Sequence, residues 1–273
     1  VSLGSMATCA SLILFAPRLS HLMWTPTLYG SEAMSGGIIP RMTDHPPHIV
    51  LASASPRRRR LFAWLDLPFD SIAVDTPESL VSPLAANPPA LAMSLAGEKM
   101  DAARDVVARD ALILTFDTIV VLDSALLGKP ADEDDARRML RALSGRTHQV
   151  VTGCAISPAA GAPTETFAVV TDVRMRELSD SRITEWMACG EYAGCAGAYN
   201  IEGQVADVTA DECYQNVAGI PLCHLAAALG NPELADCLPT PPHLPVCTCD
   251  TALGRSCRLG PRLAATDKGR AHR

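Results

Sequence analysis

The chain has no run of about 18 apolar residues, so no membrane-spanning helix is predicted. The apolar stretch from Ala10 to Pro17 is too short to span. No Lys or Arg precedes it, so it does not read as a signal peptide. An excess of basic charge is also missing. Lys and Arg number 23 against 30 Asp and Glu, a net charge of −7. That excludes a global basic field for nucleic acid and leaves any polyanion site to a local cluster. There is no internal repeat, no Walker loop, no HExxH and no GxSxG. Cysteine is not scarce, with ten residues. Cys154, Cys195 and Cys223 sit within apolar or small-residue segments and read as small buried hydrophobes in a reduced compartment. A cytoplasmic protein without membrane or nucleic-acid partners is expected.

With 273 residues and 48% hydrophobic content, the chain can bury one sizeable core and carry extensions. Residues 1–47 show no clear period. The functional domain is expected to begin near Met42, just before the first strong strand, after a disordered extension or an upstream artefact. From His48 to Gly230 strands and helices alternate, which predicts an α/β domain. Apolar runs from His48 to Ala52 and from Ala111 to Leu122 read as strands, as do Thr147–Ile156 and Thr164–Met175. Helices are expected from Arg57, from Pro89, after Asp132, after Ser179 and from Pro221. Residues 231–273 hold clustered Pro, four Cys and a basic end, the composition of a disordered tail. Cys247, Cys249 and Cys257 lack the paired CxxC spacing of a zinc site.

Two segments carry chemistry on local grounds. In Leu51-Ala-Ser-Ala-Ser-Pro-Arg-Arg-Arg-Arg60 a strand ends and a helix begins on four arginines. Cations are unfavourable at a helix start, and a bound polyanion would remove that cost. Ser53, Ser55, Arg57 and Arg58 would then cradle phosphates, with Arg59 and Arg60 on the solvated face. In Ala111–Leu122 a single carboxylate, Asp117, interrupts an otherwise apolar strand. Such an acid is costly unless it is paired, hydrogen-bonded or bound to metal. Taken alone, Glu78, Lys99 and Lys129 read as surface charges, and His148 as a satisfied surface histidine. Glu202 lies in a small-residue loop, Cys195–Gly203, that could admit a ligand closely.

Taken together these segments resemble the Maf family, once described as septum-formation inhibitors. The likeness runs from about Ile49 to Leu229. It rests on Ser53-Ala-Ser-Pro-Arg-Arg58, Asp117-Thr-Ile-Val120, Gly128-Lys-Pro130, Leu143-Ser-Gly-Arg-Thr-His148, Ala196-Gly-Ala-Tyr199 and Asn216-Val-Ala-Gly-Ile-Pro-Leu222, in that order. The resemblance implies an elongated mixed sheet with flanking helices, two lobes and a central cleft, commonly in a homodimer. It implies hydrolysis of a nucleoside triphosphate to the monophosphate and pyrophosphate with Mg²⁺ or Mn²⁺. By position, Asp117 would accept the proton of the attacking water. Arg58, Lys99 and Lys129 would neutralise the triphosphate with help from Ser53. Glu78, with Asp117, would assist the metal. The family's older name motivates an alternative, a non-enzymatic nucleotide-binding regulator of cell division.

The base stays open. One branch of the family prefers dTTP and UTP and another 7-methyl-GTP. Arg57 and Thr118 resemble the first and Glu202 the second, while Cys195 and Phe116 depart from the usual residues. Glu202 can accept from adjacent donors of a guanine-type base but cannot donate to a pyrimidine carbonyl.

Overall fold

The short apolar run Ile49–Ala52 becomes β1, buried at every position, because it is covered on both faces. The computed structural model describes residues 48–158 and 163–263. The expected N-terminal extension, residues 1–47, lies outside the described residues, as does the end of the expected tail. After β1 come α1 (Pro56–Phe62), β2 (Asp70–Ile72), α2 (Pro88–Arg104), β3 (Leu112–Leu122) and β4 (Ala125–Leu127). Then follow α3 (Glu133–Leu143), β5 (Thr147–Ser157), β6 (Glu165–Met175), α4 (Asp180–Ala188), β7 (Ala206–Asp207), α5 (Tyr214–Val217) and α6 (Leu222–Leu229). Helices α7 (Pro232–Ala235) and α8 (Val246–Leu253) complete the named elements. Among the described residues no helix is long and apolar enough to cross a membrane.

The strands form one seven-stranded sheet in the order β2-β1-β3-β5-β6-β7, with β4 beside β3. Strand β1 runs parallel to β2 and β3, and the other pairs are antiparallel. This is the α/β domain that the alternation of elements predicts, with the mixed sheet and flanking helices that the resemblance implies. The expected starts hold in detail: Asp132 caps α3 by accepting from Asp135 N at 2.8 Å, and Ser179 caps α4 by accepting from Arg182 N at 3.2 Å.

Strand β3 organises the site. Its partner β5 runs along it from Ile113 to Val121. On the other edge β1 pairs with residues 112–114 and β4 with residues 120–122. Asp117 therefore stands at a gap between two strands, where among the described residues no strand partner covers the edge. Side chains alternate across a strand. Leu112, Leu114, Phe116, Val120 and Leu122 enter the main core with α1, while Ile113, Ile119 and Val121 enter the smaller cores under α2. Asp117 shares the α2 face and Thr118 the other.

Helix α2 lies very close to the sheet. A Cβ on Gly153, the residue paired with Asp117, would stand 2.1 Å from the Ala92 carbonyl oxygen, so only glycine allows this approach. The inward stripe of α2 includes Ala92, Ala96, Lys99 and Ala103, all buried. Lys99 is thus carried into the interior toward β3.

The segment expected as a disordered tail is folded as far as residue 263. Leu234 is buried, Cys249 is buried, and His243 N bonds the Leu65 carbonyl at 2.9 Å. Its prolines do not prevent order, because Pro232 sits in the first turn of α7 and Pro245 caps α8.

Candidate active site

A cavity of about 420 Å³ opens where β1, β3 and α1 meet, a size typical of small-molecule sites. Ser53, Ser55, Arg57, Arg58, Glu78, Lys99, Asp117, Thr118 and Lys129 all line it. Residues spread over 77 positions of sequence, some proposed from local patterns and the others from the family resemblance, are thereby brought together.

The loop from β1 to α1 is built from hydroxyls. Ser55 caps α1 by accepting from Arg58 N at 3.4 Å, and Ser53 Oγ accepts from Ser55 N at 3.3 Å. Arg58 then crosses to the sheet. Its Nη2 donates to Thr118 Oγ1 and its Nε to the Gly219 carbonyl, both at 2.9 Å. Gly219 has φ of +103°, and a Cβ there would meet Arg58 Nε at 3.0 Å. Glycine alone supplies both the backbone conformation and the room. Burial lowers the Arg58 pKa against the opposing pull of Asp117 and Glu78. Behind Thr118, Thr152 Oγ1 lies at 3.0 Å and bonds the Asn216 carbonyl at 3.0 Å. Asn216 is itself fully buried and donates to the Val150 and Val169 carbonyls. Arg58 is held by a chain of bonds that reaches the core.

On the α2 face the charges form a compact cluster. Lys99 Nζ donates to Asp117 Oδ1 at 2.5 Å and to Glu78 Oε1 at 2.8 Å. Lys129 Nζ reaches the same Glu78 oxygen at 2.7 Å. The surface charge that Lys99 suggests when taken alone is corrected here: it is 8% exposed and paired on both sides. Asp117, at 3% exposure, has the partner that a buried acid requires. Burial raises the Glu78 pKa, but Lys99 and Lys129 outweigh it and the net shift is downward. Glu78 stays ionised near neutral pH.

His148 is also not a surface group. It is 3% exposed, and its Nε2 lies 2.7 Å from the hydroxyl of Tyr199, which itself lines the cavity. Burial pushes its pKa down to about 4, so it is neutral at pH 7. Sequence reasoning missed Tyr199 and Gly219 as cavity residues. Both lie in segments already singled out, but nothing local shows that they face a site. Arg57 Nη2 donates to Cys195 Sγ at 3.2 Å, and Arg57 Nε is buried with no hydrogen-bond partner among the described residues.

Glu202, expected to read the base, does not line this cavity. Its exposed carboxylate is paired with Arg60 on the outer face of α1. The expected room beside Gly203 is filled by Trp186, whose ring would stand 2.4 Å from a Cβ on that glycine.

Among the described residues no three His, Cys, Asp or Glu side chains are grouped to hold a metal. Asp75, Glu78 and Asp117 line the cavity, and the lysines bond only Glu78 Oε1 and Asp117 Oδ1. A hard divalent cation usually takes one or two carboxylates and fills its remaining positions with phosphate and water. The donor set of Glu78 and Asp117 fits such a partial site.

Residues 48–231 match the family described as Maf-like protein. The chain belongs to that family. Relatives agree with the assignment. A dTTP/UTP pyrophosphatase from Syntrophotalea carbinolica is 41% identical over 188 residues, covering 68% of this chain and 85% of that protein. One from Xanthomonas euvesicatoria pv. vesicatoria is 41% identical over 186 residues, covering 66% of this chain and 96% of that protein. One from Pelotomaculum thermopropionicum is 40% identical over 183 residues, covering 66% and 94%. The family match ends at residue 231, so α7 and α8 lie wholly beyond it.

Proposed function

We propose that this chain hydrolyses a nucleoside triphosphate to the monophosphate and pyrophosphate, with dTTP or UTP as substrate. It is a hydrolase acting on acid anhydrides. The observation that carries this reading is the Asp117–Lys99–Glu78–Lys129 cluster on one wall of a cavity whose other wall holds Arg57 and Arg58. In the proposed reaction water attacks the α-phosphorus and gives its proton to Asp117. The α–β bridging bond breaks and pyrophosphate leaves. Negative charge builds on the phosphate oxygens, and preorganised cations in a partly buried cleft stabilise it. Arg58, Lys99 and Lys129 fill this role, while Ser53 and Ser55 shape the loop against the phosphates. Glu78 and Asp117 would hold a divalent cation, Mg²⁺ or Mn²⁺, which supplies further charge neutralisation on the phosphates.

For the base, the location of Arg57 and Thr118 at the cavity and of Glu202 outside it supports a pyrimidine nucleotide over 7-methyl-GTP. The names of the relatives support the same choice. A cytoplasmic homodimer is part of this proposal, and light scattering on the purified chain tests the dimer. The functional test is pyrophosphate release from dTTP, UTP, GTP and 7-methyl-GTP with Mg²⁺ or Mn²⁺. Release from dTTP and UTP first is expected. Nucleotide binding without turnover would instead favour the non-enzymatic regulator.

A further inference from the structure

Away from the nucleotide cavity, four thiols gather in one place. Cys213, Cys223, Cys249 and Cys257 all line a second cavity of only about 20 Å³. Cys213 and Cys223 belong to the part matched by the family, whereas Cys249 and Cys257 come from the segment beyond residue 231. The cluster therefore joins that segment to the domain. All four are reduced thiols in this structure. Among the described residues no three His, Cys, Asp or Glu side chains are grouped to hold a metal ion.

Gly260 identifies the pair. Its N–H donates to Cys257 Sγ at 3.5 Å, and a methyl group on its Cα would stand 3.1 Å from Cys223 Sγ. The two sulfurs flank the same residue. Cys223 is 7% exposed while Cys257 is only half-buried, which sets their order of reaction. The surrounding segment is already docked. Arg255 Nη1 donates to the Val208 carbonyl at 2.5 Å, Arg258 N donates to the Ala210 carbonyl at 2.9 Å, and Arg258 and Arg262 pair with Asp211.

We propose that Cys223 and Cys257 are an oxidisable dithiol whose disulfide clasps the C-terminal segment onto the domain. The oxidant is a low-molecular-weight disulfide such as glutathione disulfide. The accessible Cys257 thiolate attacks one sulfur of that disulfide and expels one glutathione thiolate, leaving a mixed disulfide. The Cys223 thiolate then attacks Cys257 Sγ and expels the second glutathione. Two protein thiols are oxidised, one disulfide is reduced, and both protons end on glutathione. Burial pushes the Cys223 thiol up to about 12, which suits the second, intramolecular step rather than the first. The clasp secures residues 208–213, which lead into α5 and so to Asn216 and Gly219, the supports of Arg58. The inference does not depend on the proposed reaction.

The test is incubation of the full chain with glutathione disulfide, then intact mass, peptide mapping and thermal melting. Expected are a loss of two hydrogens, a linked Cys223–Cys257 peptide, and a Tm rise of roughly 5–10 °C that dithiothreitol reverses. The Cys257→Ala variant should match the wild-type Tm under reducing conditions, which shows that it folds, and should lose the oxidative rise. Cys249→Ser should keep the rise. A stable glutathione adduct without the intramolecular link, a link between any other pair, or a tightly held zinc ion protecting the thiols from oxidation would each overturn the proposal.

Discussion

Helix α1 carries four consecutive arginines on two faces with different environments. Arg57 and Arg58 line the cavity and meet Cys195, Thr118 and Gly219. Arg59 and Arg60 are exposed, and Arg60 forms a surface pair with Glu202. The local sequence is the same residue repeated, so composition cannot distinguish the two faces. Partners 60 to 161 positions away do so. An inward cation is fixed by several bonds and partly shielded from water, so its charge acts strongly on a ligand. An outward pair is screened and contributes about 0–1 kcal/mol. The same division separates the cleft acids Asp117 and Glu78 from the rim acid Glu202.

If inward charges carry the chemistry, the largest effect belongs to the most buried acid. Asp117→Asn should keep the fold and nucleotide binding but lower kcat by about 10²–10⁴, the usual cost of losing a general base. Pyrophosphate release under saturating dTTP measures it. Wild-type turnover would remove Asp117 from the reaction and reduce the cluster to a structural ion pair.

A buried neutral group sharpens the same contrast through stability. His148 is neutral in the fold because burial lowers its pKa to about 4. The unfolded chain binds a proton at this residue below about pH 6.5. Unfolded protein thus holds more protons between those values, and stability rises with pH there. The contribution is complete above about pH 6.5 and is lost as pH falls toward 4. The loss is roughly 3 kcal/mol. Urea melts across that window should show it, and His148→Gln should flatten the slope. An unchanged slope would mean that water reaches the imidazole.

The two faces of α1 can be compared directly. Arg58→Ala removes two charge-assisted hydrogen bonds and a cavity charge, and should lower kcat/KM about 10- to 100-fold. Arg59→Ala should leave kcat/KM within about twofold, as an exposed substitution usually does. Equal effects from the two would abolish the distinction between inner and outer faces.

Much of this molecule was legible before its structure. The caps Asp132 and Ser179, the strand bearing Asp117 and the Ser-Pro turn into α1 are local signals, each set by neighbouring residues. Asp117 was conspicuous because an unpaired acid in an apolar strand is costly, and the structure supplies Lys99 as its partner. The rest depended on distance. Lys99 looked like a surface charge until α2 packed against Gly153. His148, among strand residues, reads as a satisfied surface histidine, yet it is buried against Tyr199. The segment after residue 231 looked disordered because proline suggests irregular chain, but two of its prolines sit at helix starts.

The smallest effect is expected at Glu202, where sequence and structure point in different directions. Its sequence context suggests a carboxylate that accepts from a guanine-type base, so that Glu202→Gln would shift preference toward UTP. The structure has this carboxylate exposed, paired with Arg60 and absent from the cavity wall. A screened surface pair supports no strong discrimination, because selectivity by hydrogen bonding needs a buried group that a wrong ligand leaves unpaired. Glu202→Gln is therefore expected to leave the ratio of kcat/KM for UTP and 7-methyl-GTP within about twofold. Arg57→Ala should move that ratio further, since Arg57 lies at the cavity with a buried, unbonded Nε. A tenfold or larger shift for Glu202→Gln would show that the turn at 201–203 reaches the base once nucleotide is bound. The rim would then belong to the site, and the boundary between the two faces of α1 would lie beyond Arg60.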